Sequence, residues 1–134
     1  MGMLDPRVTE LAELMCSHST KLGPSDKLLV HAFDIPEEAV AEFVRVAQSK
    51  GSQTTVRLES SLVKRQLLLG ATDDAIKTIA DNELHEMQNM TAYIALRGGS
   101  NYAEMGDVPS ATMAKWQKLY GQTVVQHRVR KTRW

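Results

Sequence analysis

Cysteine is almost missing from this chain. Cys16 stands alone among 134 residues, so no internal disulfide can form, and the composition fits a reducing compartment. Charge of one sign is missing too: sixteen Lys and Arg balance sixteen Asp and Glu, which leaves no electrostatic footprint for nucleic acid. No apolar run approaches the ~18 residues of a membrane span. The first residues, Met1 to Pro6, lack the basic segment and apolar core of a secretion signal. Neither HExxH nor HxxH occurs, nor the G-x-S-x-G elbow, nor a Gly-rich phosphate loop of the G-x-G-x-x-G or Walker type. These absences predict a cytoplasmic protein without a membrane or nucleic-acid partner, and they leave no active site that spacing alone can assemble.

What is present is a regular change of hydrophobic period. Asp5 and Pro6 open a helix that carries Val8, Leu11, Ala12 and Met15 at helical spacing to about Lys21. Cys16 falls among these apolar positions and reads as buried filler. Leu28 to Phe33, a nearly continuous apolar run, reads as a strand covered on both faces and hence the central one. Asp34, with Glu37 three residues on, is expected to cap a helix bearing Val40, Phe43, Val44 and Ala47 up to Gly51. Gln53 to Ser60 alternates Val56 and Leu58 against Arg57 and Glu59, the pattern of a half-exposed strand near a sheet edge.

Ser61 to Leu69 and Thr72 to Met90 read as helical, the second stretch broken near Asp81-Asn82, with Leu84 and Met87 inward. Thr91 to Arg97 is a third strand. A last helix begins after Asp107, with Pro109 in its first turn, and carries Met113, Trp116 and Leu119 to Gly121. Thr123 to Trp134, with valines near alternate positions, reads as the approach to a further strand left incomplete. On that reading the chain is the front part of something larger. The expected fold is one α/β domain over residues 1–134, an open and mainly parallel sheet sandwiched by helices in a Rossmann-like three-layer arrangement.

Residues that could carry chemistry are few. His18, His31, His85 and His127 lie far apart without a carboxylate partner at ligand spacing, and His31, inside the central strand, reads as a hydrogen-bonded histidine of the core or sheet rim. Arg128, Arg130, Lys131 and Arg133 form the one basic run, read as a solvated strand face. The loop Arg97-Gly98-Gly99-Ser100-Asn101 follows a strand at the carboxyl end of the sheet, where α/β proteins place ligands. It reads as a turn or domain contact, with a phosphate on its backbone N–H groups as the alternative.

The order of motifs adds to this. DPRVTELAELMCSHSTKLGPSDKLLVHA, PEEAVAEFVRVAQSKGSQTTVRLES, TDDAIKTIADNELHEMQNMTAYIALRGGSN and the closing KTRW resemble the amino-terminal domain of the thermophilic-type metalloaminopeptidases, the aminopeptidase T and aminopeptidase S group, over nearly the whole chain. The resemblance implies a parent that removes amino-terminal residues from peptides with two divalent metal ions, zinc or cobalt, which activate a water as nucleophile and polarise the scissile carbonyl. It also implies that the metal ligands lie in a carboxyl-terminal catalytic domain absent from this sequence. No catalytic, cofactor or metal residue is therefore assigned here, and the chain by itself is expected to be inactive. Its expected partners are that catalytic domain and a second copy in a homodimer, with contacts placed at Arg97, Gly98, Gly99, Ser100, Asn101, Arg133 and Trp134. Two alternatives stay open: a small-molecule or nucleotide-binding α/β domain using Gly98-Gly99, and an interaction module using the edge around Val124 to Trp134.

Overall fold

The computed structural model describes residues 5–98 and 107–134. Asp5 caps the first helix, α1 (Pro6–Leu14), by accepting the Arg7 N–H at 2.9 Å, and the helix widens into a π-helical turn at Met15–Ser19. Strand β1 (Lys27–Phe33), helix α2 (Glu37–Ser49) and strand β2 (Gln53–Glu59) follow, with Gly51 taking a positive φ of 86° in the turn before β2. Ser60 and Thr72 then cap α3 (Ser61–Leu69) and α4 (Asp73–Gln88), whose first turn holds Asp73 and Asp74 against the helix dipole. After β3 (Ala92–Arg97) one long helical run closes the chain as α5 (Ser110–Trp116), a π-helical stretch (Gln117–Val125) and α6 (Gln126–Lys131).

The three strands are parallel in the order β2-β1-β3, so the open α/β sheet inferred from sequence is present with Leu28 to Phe33 at its centre. Alternation along β1 divides the core. Leu28, Val30 and Ala32 pack with Ala12, Cys16, Val40, Phe43 and Ile94 beneath α1 and α2, while Leu29 joins Ala80, Met87, Tyr93, Tyr120 and Val124 beneath α4 and the last helix. Burial of Cys16 pushes its thiol pKa up, as expected of filler rather than a reactive group. No helix of the described residues is long and apolar enough to cross a membrane.

Three local expectations are corrected, and that for β2 is borne out with its faces now assigned. Asp34 does not cap α2, which starts after Pro36; at φ 57° its carboxylate turns the other way and accepts the Ser61 N–H at 3.1 Å, tying β1 to the start of α3. Helix α4 runs unbroken through Asp81 and Asn82, because both face solvent, where their weak helix propensity costs little. Strand β2 is the edge strand, but the partly covered side chains of its carboxyl half are Arg57 and Glu59, while Val56 and Leu58 are exposed. The segment from Thr123 is helix as far as Lys131. Of the expected further strand only one bridge exists, Arg133 beside Ala92, with the Tyr93 N–H donating to the Arg133 carbonyl at 2.8 Å.

Candidate functional site at the carboxyl end of the sheet

The side-chain parity that puts Leu29 under α4 also puts His31 and Phe33 on that face, at the carboxyl end of β1. Glu59 ends β2 and Arg97 ends β3 on the same side. Lys64 reaches over from α3, while Trp116, Tyr120 and Arg128 descend from the last helical run. Together these elements enclose a cavity of about 240 Å³, lined among others by His31, Phe33, Lys64, Arg97, Trp116 and Arg128. The strand order reverses between β1 and β3, so the cavity lies at the kind of switch point where open α/β sheets bind ligands.

The last helical run aims three residues at the sheet. Tyr120, Val124 and Arg128 are all buried at four-residue spacing. A step of four overshoots one α-helical turn and falls short of one π-helical turn, so a run that passes from π to α at Gln126 keeps them on one line.

At the floor of the cavity His31 has both ring nitrogens engaged. Nδ1 meets the Tyr93 hydroxyl at 2.8 Å and Nε2 meets the Glu59 carboxylate, whose other oxygen accepts from Lys64 Nζ at 3.1 Å. A carboxylate only accepts, so Nε2 carries the proton toward Glu59, and the neutral ring takes its second hydrogen bond from Tyr93 O–H. Burial lowers the His31 pKa against the opposing pull of Glu59. Burial works to raise that of Glu59, yet His31 and Lys64 hold it down to about 2. Burial pushes the Tyr93 hydroxyl up to about 12.

The shifts of His31 and Glu59 have a common sign. The unfolded chain binds a proton on His31 near its ordinary value of 6.5, above the folded value, so stability falls as the pH drops below 6.5. Glu59 adds a second loss that begins near its ordinary 4.5 and is complete near about 2. The urea midpoint is therefore expected to decline in two limbs on acidification, and a His31→Gln chain to lose the upper limb alone. An unchanged slope just below pH 6.5 in that variant would assign the limb to another group.

The cations are held by aromatic rings. Lys64 Nζ lies 4.6 Å from the Trp116 ring centre, and Trp116 stacks on Tyr120 at 4.3 Å. Arg97 lies 4.6 Å over Phe33, and Arg128 lies 3.7 Å over Tyr93. Tyr120 donates to the buried Glu83 at 2.7 Å, and burial followed by that carboxylate raises its pKa. Arg128 differs from the rest. It is 8% exposed, and its Nε is a buried donor with no hydrogen-bond partner among the described residues.

The positions singled out from sequence fall at separate places. Arg97 lines the cavity. Gly98 follows it where a Cβ would come within 2.7 Å of the Asp34 carbonyl oxygen, so the glycine serves a close crossing of backbones. Gly99, Ser100 and Asn101 lie outside the described residues. Arg133 sits at the opposite, amino end of β3, where its guanidinium donates to the Thr20 carbonyl at 2.6 Å and pairs with Asp26, and Trp134 is exposed. Arg97 and Arg133 thus do not form one surface. Arg128, read as part of a solvated basic face, is buried, and sequence reasoning passed over Glu59, Lys64 and Tyr93 as site residues. The usable signal was the shared parity of His31, Phe33 and the strand-terminal Glu59.

Beside the outer edge of β3, which holds only the Arg133 bridge among the described residues, lie two apolar hollows. One, of about 160 Å³, is lined by Met15, Ile94 and Trp134 among others, and one of about 470 Å³ by Leu11, Met15, Ile35, Phe43 and Leu96. Among the described residues no group of three or more His, Cys, Asp or Glu is placed to hold a metal ion.

Comparison with known proteins adds two likenesses. The family model described as thermophilic metalloprotease (M29) matches residues 4–134. Among solved structures, wild-type AmpT from Thermus thermophilus superposes with a TM-score of 0.72 at 17% identity, covering 96% of this chain and 34% of that one. At that identity the likeness is one of fold, and the chain spans about a third of the length of the structure it matches. No curated protein matches the sequence significantly.

Proposed function

This chain belongs to the thermophilic metalloprotease (M29) family, and from that premise we propose that it acts as the non-catalytic amino-terminal domain of a metal-dependent aminopeptidase, a scaffold on which a catalytic domain packs. The observation that carries the reading is the uneven coverage: 96% of this chain lies on 34% of AmpT. The outer edge of β3 supports it, since among the described residues it carries only the Arg133 bridge and has apolar hollows beside it, which suit a further parallel strand.

The described residues do not fit the family's metal centre. The His31–Glu59 pair has both imidazole nitrogens in use and His31 is 1% exposed, so it has no free lone pair to offer a cation. On this reading the chain positions and encloses, and no catalytic step is assigned to its side chains.

The test is hydrolysis of amino-acid p-nitroanilides by the purified chain with zinc or cobalt, alone and mixed with a separately expressed carboxyl-terminal domain of the family. The chain alone is expected to release no p-nitroaniline, and the mixture to exceed the catalytic domain by itself. Metal-dependent hydrolysis by this chain alone would overturn the reading.

A further inference from the structure

We propose that the cavity at the carboxyl end of the sheet is a binding site for a small oxyanion, a carboxylate or phosphate group, received by Arg128 between Lys64 and Arg97. The argument begins with the buried guanidinium. A cation out of water without a hydrogen-bonding anion is costly, and proteins rarely leave one so. Arg128 is 8% exposed and its Nε lacks a partner; its guanidinium meets the Tyr120 hydroxyl, and no carboxylate forms an ion pair with it among the described residues.

The nearby carboxylates are already engaged. Glu59 receives His31 and Lys64, and Glu83 receives the Tyr120 hydroxyl. Arg128 lies 3.7 Å over the Tyr93 ring and lines the cavity, where a guanidinium can offer N–H groups to the oxygens of one anion. Lys64 and Arg97, each held against a ring, add positive charge to the cavity walls.

Size narrows the class. A cavity of about 240 Å³ suits one oxyanion with a short body. The site is independent of the peptidase reading, so either can fail while the other stands.

Trp116 lines the cavity and reports on it once the exposed Trp134 is changed to Phe. The 134-residue chain carrying Trp134→Phe is titrated at constant ionic strength with sodium phosphate and, separately, sodium acetate, against sodium chloride, following Trp116 emission and thermal midpoint. A saturable change with phosphate, acetate or both, absent with chloride, is expected, and the stronger of the two identifies the headgroup. Arg128→Gln should weaken it about tenfold or more, as loss of a charged hydrogen bond does. Arg97→Gln, whose residue is exposed, keeps the test decisive if Arg128→Gln does not fold, and should weaken binding about threefold. No saturable response to either anion, or a response that Arg97→Gln and any folded Arg128→Gln leave unchanged, overturns the proposal.

Discussion

Cutting Ile94 back to alanine is expected to cost about 3–4 kcal/mol of folding free energy, while the same change at Leu58 costs about 0.5 kcal/mol or less. Both are aliphatic residues in parallel strands. Ile94 is 1% exposed, in register with Val30 of the central strand and packed in the cluster of Cys16 and Phe43, so its removal leaves a cavity between sheet and helices. Leu58 is 60% exposed at the outer edge of the sheet, where water already reaches most of it. Urea unfolding of the two variants measures the difference directly. A Leu58→Ala chain as unstable as Ile94→Ala would mean that the β2 face is covered in solution, as it would be by self-association.

The second large effect is expected one residue further on. Glu59→Ala removes the acceptor of both His31 and Lys64, leaving the imidazole N–H buried without a partner and Lys64 with only its aromatic contact. Breaking a buried charged pair on one side costs about 3–5 kcal/mol, and the 17% exposure of the Glu59 side chain moves the expectation to about 2–3 kcal/mol. Glu59→Gln, which keeps one acceptor and loses the charge, should fall about halfway. If Glu59→Ala unfolds within about 0.5 kcal/mol of the parent chain, the hydrogen bonds drawn around His31 do not hold in solution.

Neighbouring Leu58 and Glu59 also show what sequence can reveal. The apolar run Leu28 to Phe33 marked the central strand because burial on both faces removes alternation, and the structure has it between two neighbours. Alternation from Gln53 to Ser60 correctly placed a strand at the edge. It did not say which face is covered, since at an edge a charged side chain with partners is covered as readily as a leucine.

The carboxyl-terminal misreading has a similar cause. Val124, Val125 and Val129 look like a strand by propensity, but Tyr120, Val124 and Arg128 meet the core at four-residue spacing, and packing prevails over the β-branched preference. The cavity was the least legible part. Its walls come from two strands, α3 and the last helical run, and Arg128 sits in a basic cluster that any count of charges assigns to solvent. Only the register of strands and helix together reveals that this one arginine faces inward.

The π-helical stretch Gln117–Val125 gives the cavity an unusual dependence on chain length. Measured in residues, a π turn is an α turn with one more residue taken up and no loop to show for it. One residue more or fewer between Tyr120 and Arg128 would turn the guanidinium by about 100° around the helix axis, out of line with Tyr93, even with every side chain of the cavity intact. The spacing of this segment therefore specifies the site as strictly as the residues themselves, and a comparison of relatives by residue type without that count would find the same amino acids and miss the cavity.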